Sequence, residues 1–197
     1  MKKLLITGFE PFGGESVNPS WQAVEMLPEF VEEYCLTKLC LPVVFGDAAI
    51  KVISKAEEIK PDVILCIGQA GGREAITPEM IGINLRHSSI PDNEGNNPND
   101  EKICEYGNDG YFSTIPVRKI AESINNEGIK SQVSYSAGAY VCNDTLYTLL
   151  QHFNGSNVLV GFIHIPYSSE QVKDKRDAPS MSLEKICKAL KIAIKNL

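Results

Sequence analysis

The sequence predicts an α/β protein: a three-layer α/β/α sandwich around a mixed, mainly parallel sheet, with an extra hairpin. Short continuous apolar runs, typical of strands buried on both faces, recur along the chain. Segments with helical periodicity separate most of these runs, and such alternation favours crossover connections between parallel strands. The 197 residues show no internal repeat and no linker-like stretch. We therefore expect one catalytic domain over residues 1–197.

In the first half of the chain, turn residues separate strand-like runs from helix-like runs. Asn18 and Pro19 predict a helix start, because Asn caps free N–H groups and Pro fits the first helical position. Apolar residues on one side of 47–59 predict a second helix, which Pro61 ends. The predicted elements are a strand over 2–8, a helix over 19–27, a strand over 34–43, a helix over 47–59 and a buried strand over 63–67.

The second half continues the alternation after the glycine-rich turn 68–72. Residues 87–110 are polar and aperiodic over a length that is typical of a functional or mobile loop. The other predicted elements are strands over 79–85, 131–135 and 158–163, helices over 116–126, 141–150 and 181–197, and a polar loop over 167–179.

Composition excludes several classes of function. The net charge is −6 without a basic block, so nucleic acid and acidic membrane surfaces are not expected partners. No apolar run reaches membrane-spanning length, and Glu10 follows the first run too early for a signal peptide. Six cysteines without a CxxC pair favour reduced thiols in the cytoplasm over a disulfide framework.

Cys142 is the first candidate for chemistry, because it falls in the first turn of the predicted helix 141–150. Unpaired N–H groups at a helix start favour a thiolate, which is the nucleophilic form of cysteine. The alternative is an inert cysteine packed in the core.

Several polar and aromatic residues follow predicted strands, where sites form in open α/β sheets. The loops after residues 8, 68, 135 and 163 carry them, and one crevice could collect them all. The residues are Phe9, Phe12, Gln69, Glu79, Cys142 and His164. Phe9 and Phe12 could instead pack against the core; as pocket walls they would suit a flat apolar ligand.

A nucleophilic cysteine needs a base and a group that orients the base. Of the three histidines, His152 is too far along the same helix and His87 opens a polar loop. His164 ends a buried strand at the predicted crevice, where the alternative is a packed core histidine. Glu79 would hold its ring if buried beside it, and would otherwise be a surface carboxylate.

Cofactor motifs are not found. The glycine-rich segments 8–14 and 68–72 fit neither a dinucleotide fingerprint nor a P-loop, and no zinc-binding spacing is present. We therefore expect no cofactor and no metal.

Five blocks, in order, resemble the pyrrolidone-carboxylate peptidase (pyroglutamyl peptidase I) family, and the resemblance covers nearly the whole chain. The blocks are Thr7-Gly-Phe-Glu-Pro-Phe-Gly-Gly14 with Asn18-Pro-Ser20, Gly68-Gln-Ala-Gly-Gly-Arg73 leading to Glu79 and Asn84, Ile90-Pro-Asp-Asn93 with Gly95, Ala137-Gly138 with Tyr140-Val-Cys-Asn143, and Gly161-Phe-Ile-His-Ile-Pro166.

The resemblance implies a cytosolic cysteine peptidase that removes N-terminal pyroglutamate from peptides through a thioester. It implies Cys142 as nucleophile, His164 as base and later acid, and Glu79 as the orienting carboxylate. It further implies an α/β/α sandwich that often assembles as a homotetramer. The implied substrate-binding residues are Phe9, Phe12, Asn18, Gln69 and Val141.

One position departs from the family, which usually has an arginine close to the active site where this chain has Ser89. The alternative function is therefore a homologue that binds pyroglutamyl or related lactam groups without hydrolysing them. A phosphorylase-like enzyme acting on nucleosides is a further alternative, although the chain lacks a recognisable phosphate loop.

Overall fold

The computed structural model describes residues 1–172 and 178–197. This part of the chain contains five helices and ten strands, and the third and fourth helices follow each other without an intervening strand. The helices are α1 (Pro19–Met26), α2 (Asp47–Ile59), α3 (Val117–Asn126), α4 (Val141–His152) and α5 (Leu183–Lys195). The strands are β1 (Lys2–Phe9), β2 (Phe30–Val31), β3 (Tyr34–Leu41), β4 (Val63–Gln69), β5 (Thr77–Pro78), β6 (Ile81–Ile83), β7 (Gly110–Phe112), β8 (Leu159–Ile165), β9 (Tyr167–Ser168) and β10 (Ser180–Met181).

The central sheet has the strand order β2-β3-β1-β4-β8-β5. Its four middle strands run parallel, and the short edge strands β2 and β5 are antiparallel to their neighbours. Strands β6 and β7 form a separate antiparallel pair, joined by the long segment 84–109 rather than by a tight turn. This arrangement confirms the predicted mixed, mainly parallel sheet, and the predicted extra hairpin is replaced by an antiparallel pair with a long connection.

Two apolar layers cover the sheet because side chains alternate between its faces along each strand. Leu4 and Ile6 of β1 face the layer that contains α1, α3 and α5. Leu5 and Phe9 of the same strand face α2 and α4. The predicted three-layer sandwich is therefore confirmed, and the face covered by α4 is the one that carries Cys142.

Local signals explain the starts of α1 and α5 and the end of α2. The side chain of Asn18 accepts a hydrogen bond from Ser20 N, and Pro19 occupies the first position of α1. Ser182 caps α5 in the same way through Lys185 N. Helix α2 ends at Lys60, which adopts a left-handed conformation with φ 50° just before Pro61.

The strand predicted over 131–135 was wrong, because this segment makes only two isolated bridges. Ser131 pairs with Ile76 and Ser134 with Glu79. The backbone pairs with 76–80 only intermittently: Gln132 N donates to the carbonyl oxygen of Ile76 and Ser134 N to that of Pro78, whereas Ser131 N donates to Asn125 Oδ1. The chain therefore reaches α4 through an irregular segment.

Other boundaries moved as well. Of the strand predicted over 79–85, only β6 is regular, and the last helix begins at Leu183 rather than at Met181. The polar loop predicted over 167–179 includes β9, and residues 173–177 of that loop lie outside the described residues. Across the described parts of the chain, no helix has the length and apolar character needed to span a bilayer.

Candidate active site

Cys142 is the second residue of α4, and the start of this helix is not capped by a side chain. Its N-cap residue, Tyr140, has an extended backbone and makes no side-chain capping bond. Asn143 fixes the first turn to β6: its Nδ2 donates to the carbonyl oxygens of Ile83 and Leu85, and its Oδ1 accepts from Ile83 N, each at 2.9 Å. The helix start is thus held in place while its first N–H groups stay available to a ligand.

Gly68 of β4 packs against Cys142 and pairs with His164 in the sheet. In the parallel register Gly68 is opposite His164, so substituents on both residues project from the same face of the sheet. A Cβ built on Gly68 would lie 3.0 Å from Cys142 Sγ and 2.7 Å from the ring of Phe162. The Phe162 ring in turn lies 4.8 Å, centroid to centroid, from the His164 ring. Sulfur and imidazole therefore share one crowded surface, which only glycine at position 68 leaves open.

Glu79 holds the imidazole. The Oε1 atom of Glu79 lies 2.7 Å from His164 Nδ1, and both side chains are buried. Two backbone contacts bring them together: Glu79 N donates to the carbonyl oxygen of Phe162, and Thr77 pairs with His164 in the sheet. The carboxylate thus fixes the ring orientation and the tautomer with a proton on Nδ1, which leaves Nε2 as the basic nitrogen.

Arg73 completes a chain of charges behind the histidine. Its Nη1 donates to Glu79 Oε1 at 2.7 Å and to Thr77 Oγ1 at 2.7 Å. Its Nη2 donates to the carbonyl oxygen of Ser136 at 3.1 Å, in the segment that leads to α4. One guanidinium therefore links the carboxylate to the backbone that precedes Cys142.

These contacts set the charge states of the pair. Burial alone would raise the pKa of Glu79, but the hydrogen bond and charge of His164, the Ser134 hydroxyl and the charge of Arg73 together lower it. Burial also lowers the pKa of His164, and the Arg73 charge acts in the same direction against the opposing effect of Glu79. At neutral pH the site therefore holds an ionised Glu79 and a neutral imidazole.

The surroundings of Cys142 oppose the expected thiolate. Burial, followed by the negative charge of Glu79, raises the pKa of the Cys142 thiol to about 12. Loss of hydration around the sulfur outweighs the helix start and the weak opposing effect of Arg73. These surroundings thus favour a neutral thiol at Cys142 and a neutral imidazole at His164.

A small, mostly apolar cavity opens at Cys142. Its walls include all five residues that the sequence analysis proposed for substrate binding. The lining residues are Phe9, Phe12, Asn18, Val43, Gln69, Tyr140, Val141 and Cys142. The sequence-predicted residues Glu79 and His164 lie outside this lining.

Asn18 serves the fold as well as the cavity. Its Nδ2 donates to the carbonyl oxygen of Glu10 at 2.9 Å, and its Oδ1 accepts from Ser20 Oγ at 2.8 Å. Ser20 Oγ in turn accepts from Phe9 N at 2.9 Å. Asn18 therefore fixes the backbone on both sides of the loop that carries the two phenylalanines.

The segment 90–93 forms hydrogen bonds with residues in and next to the cavity walls. Asn93 Nδ2 donates to Glu10 Oε1 and to the carbonyl oxygen of Pro11, while Asn93 N donates to the carbonyl oxygen of Val43. Buried Asp92 accepts from Phe45 N at 3.0 Å. Tyr140 Oη donates to the carbonyl oxygen of Pro91 at 3.1 Å. This part of the predicted polar loop thus positions the walls without lining the cavity.

Ser89, the departure from the family pattern, is exposed. Arg86, three residues earlier, does not line the cavity, because its Nε donates to Asp144 Oδ1. Asp144 is buried in the first turn of α4, and its other oxygen accepts from Gly46 N at 2.7 Å. The guanidinium of Arg86 therefore forms an ion pair with the helix that carries Cys142.

Three residues that contribute to the site were not singled out from the sequence. Arg73 ends the glycine-rich block six residues before Glu79, and this proximity was the available signal. Tyr140 directly precedes Val141, and its ring packs on Phe12 at 6.1 Å and on Phe45 at 5.3 Å. Val43 carried no signal, because an apolar residue after a strand is ordinary.

The other histidines do not join this group. His152 is the last residue of α4, and His87 is exposed with Nδ1 3.0 Å from Asp100. Within residues 1–172 and 178–197 no group of three or more His, Cys, Asp or Glu side chains is arranged to hold a metal ion.

Comparison with known proteins identifies the family. The family model described as pyroglutamyl peptidase matches residues 2–197. The pyrrolidone-carboxylate peptidase of Clostridium perfringens is 47% identical over 195 residues, which cover 98% of this chain and 92% of that protein. That of Thermosipho africanus is 48% identical over 199 residues, which cover 98% of this chain and 95% of that protein.

Solved structures give the same result. Pyroglutamyl peptidase I from Bacillus amyloliquefaciens superposes with a TM-score of 0.96 at 45% identity, covering 100% of this chain and 96% of that one. Pyrrolidone carboxyl peptidase from Thermococcus litoralis gives 0.94 at 40% identity, covering 99% and 92%. With a family model that spans nearly every residue and relatives of this similarity, the chain belongs to the pyroglutamyl peptidase family.

Proposed function

We propose that the chain is a cysteine-type pyroglutamyl peptidase, which removes an N-terminal pyroglutamyl residue from peptides. The observation that carries this proposal is the placement of Cys142 in an apolar cavity walled by Phe9 and Phe12, beside the buried Glu79–His164 pair. Membership in the pyroglutamyl peptidase family supports the same activity.

The cavity suits a lactam ring. Pyroglutamate carries a flat, uncharged ring, and aromatic walls favour such a group. A free α-amine would leave water for a mostly apolar slot, and an unpaired buried charge of that kind costs several kcal/mol. This cost explains selectivity for the cyclised residue over an ordinary N-terminus.

In the first half of the reaction, Cys142 Sγ attacks the carbonyl carbon that follows the ring, and its proton passes to His164 Nε2. The backbone N–H of Cys142, at the uncapped start of α4, donates to the oxyanion. When the C–N bond breaks, the imidazolium gives that proton to the leaving amine. The products are a thioester on Cys142 and the shortened peptide.

In the second half, His164 takes a proton from water, and the resulting hydroxide adds to the thioester carbonyl. The C–S bond then breaks, free pyroglutamate leaves, and the sulfur regains its proton from His164. Glu79 stays ionised throughout and stabilises the imidazolium in both halves.

The non-hydrolysing alternative is not favoured, because Ser89 is exposed and the proposed base His164 keeps its bond to the proposed orienting carboxylate of Glu79. Incubation with a chromogenic pyroglutamyl amide and a thiol reductant distinguishes a peptidase from a homologue that binds without hydrolysis. Release of the dye supports the peptidase. Binding of the amide without release supports the alternative.

The assignment of the nucleophile has its own test. Cys142→Ala should lower turnover of the pyroglutamyl amide by at least about 10³-fold, because no other group can form the thioester. Cys35→Ala is the matched control, since Cys35 is also a partly exposed free thiol and lies outside the cavity. Retained turnover in Cys142→Ala would remove the assignment.

We further propose a single catalytic domain over 1–197 that works in the cytoplasm as a homo-oligomer, with a tetramer implied by family resemblance. Large exposed apolar side chains support association, among them Phe30, Phe112 and Tyr135. Light scattering of the purified protein tests the assembly, and cell fractionation tests the compartment. A monomer in solution would contradict the oligomer.

A further inference from the structure

Gln171 lies behind the cavity residue Gln69 and bonds to its side chain. The Nε2 atom of Gln171 donates to Gln69 Oε1 at 3.0 Å and to the carbonyl oxygen of Val17 at 3.3 Å. Its Oε1 accepts from Ser168 N at 3.1 Å. Both the oxygen and the nitrogen of the Gln171 amide are thus hydrogen-bonded.

These partners allow only one orientation of the Gln171 amide. Ser168 N is a backbone donor, so the atom facing it must be an acceptor. The carbonyl oxygen of Val17 only accepts, so the atom facing it must be a donor. An amide has one acceptor end and one donor end, and the two backbone groups select which end faces Gln69.

The orientation of Gln171 in turn fixes that of Gln69. Because a donor of Gln171 faces Gln69, the Gln69 amide must present its oxygen to Gln171. Its Nε2 is then directed away from Gln171, and no acceptor for it is recorded within residues 1–172 and 178–197. Without Gln171 the terminal torsion of Gln69 would have two similar wells, in which oxygen and nitrogen exchange places.

We propose that Gln171 is a positioning residue that sets the Gln69 amide so that its Nε2 donates a hydrogen bond to the ring carbonyl of the substrate. This inference rests on the proposed function, because it assumes a lactam in the cavity lined by Gln69. The donor is oriented before the ligand arrives, so binding does not have to select it from two rotamers.

Two variants of Gln171 separate loss of orientation from reversed orientation. Gln171→Met keeps the length and removes both polar ends, which leaves Gln69 free to adopt either rotamer. The KM for a pyroglutamyl amide should rise about twofold, since half of the molecules present the correct atom. Gln171→Glu still accepts from Ser168 N but also accepts from Gln69, which turns the oxygen of Gln69 toward the cavity. KM should rise about tenfold, the usual effect of one lost hydrogen bond, with kcat nearly unchanged.

A double-mutant cycle tests whether Gln171 acts through Gln69. In a Gln69→Ala background, Gln171→Glu should have no further effect on KM. Gln132→Glu is the matched control, because it makes the same charge change at an exposed glutamine outside the cavity. An equal loss in both backgrounds, or a fall in kcat at constant KM, would overturn the proposal.

Calorimetric titration with 2-pyrrolidone applies the same comparison to binding alone. The proposal requires weaker binding in Gln171→Glu than in the wild type. Equal affinities would overturn it. Turnover by the wild type tests the proposed peptidase separately, so a failure of one conclusion is not mistaken for a failure of the other.

Discussion

The sulfur of Cys142 lies 3.0 Å from the position that a Cβ on Gly68 would occupy. Real Cβ atoms rarely approach a neighbour so closely, and the same Cβ would lie 2.7 Å from the Phe162 ring. The glycine is therefore required by close packing rather than by its backbone conformation. It gives the sulfur room directly beside the strand position that faces His164.

Gly68→Ala should impair catalysis strongly. The added methyl group must displace Phe162 or Cys142, and overpacking of this kind typically costs about 1–3 kcal/mol of unfolding free energy. We expect turnover of a pyroglutamyl amide to fall by at least about tenfold, since misplacing a reacting group by 1 Å costs up to about 100-fold. Thermal unfolding measured in parallel separates the two effects. Turnover equal to the wild type would show that the site tolerates the methyl group.

Replacing Glu79 by Gln tests the orienting carboxylate. The variant keeps the size of the side chain but loses the charge that stabilises the imidazolium, and its amide can select the wrong tautomer of His164. We expect kcat to fall by about 10² to 10⁴-fold, with little change in KM.

Glu74→Gln provides the matched control, because Glu74 is exposed and forms an ion pair with Lys130 on the surface. It makes the same chemical change on the surface and should leave kcat unaffected. Similar losses in both variants would argue against a specific role for Glu79.

The pH dependence follows from the lowered pKa of His164 and the raised pKa of the Cys142 thiol. The active form has a neutral imidazole, so kcat/KM should fall with acid only at a pH below about 6.5, the ordinary imidazole value. Alkylation of Cys142 by iodoacetamide requires the thiolate and should still increase above pH 8. A plateau near neutral pH would instead indicate a preformed thiolate–imidazolium pair.

Arg73→Ala should move the acidic limb of that profile to higher pH. The Arg73 charge lowers the pKa of His164, so its removal lets the imidazole take up a proton more readily. The loss of two hydrogen bonds around Glu79 and Ser136 should also reduce kcat by about tenfold.

Arg118→Ala removes the same charge from an exposed position on α3 and should leave the profile in place. A limb that moves equally in both variants would reflect overall charge. An unmoved limb in Arg73→Ala would show that Arg73 does not influence His164.

Sequence patterns predicted much of the fold because local signals and packing agree along the main elements. Helix α2 has the predicted bounds, since an apolar side and Pro61 both define it. The segment 131–135 misled, because its composition resembles a strand while its pairing is limited to isolated bridges from Ser131 to Ile76 and from Ser134 to Glu79. The pairing of β6 with β7 across residues 84–109 is a long-range contact that no local pattern specifies.

The candidate site was predicted in composition but not in electrostatics. Strand ends placed Phe9, Gln69 and His164 at one edge of the sheet, and the structure brings them to the same region. The prediction of a thiolate at Cys142 was wrong, because a sequence shows the helix start but not the burial of the sulfur, which raises the pKa of the thiol. Arg73 was missed because its contact with Glu79 depends on how the glycine-rich turn folds back.

The hydrogen bonds of segment 90–93 have a consequence for how this enzyme can diversify. Residues 91–93 hydrogen-bond to Glu10, Val43, Phe45 and Tyr140. These bonds position the walls of the cavity and so govern its width. Changes there can retune which N-terminal cap is accepted while the proton-transfer apparatus stays intact. The cavity can therefore be altered from outside its lining, and libraries that alter specificity are best directed at segment 90–93.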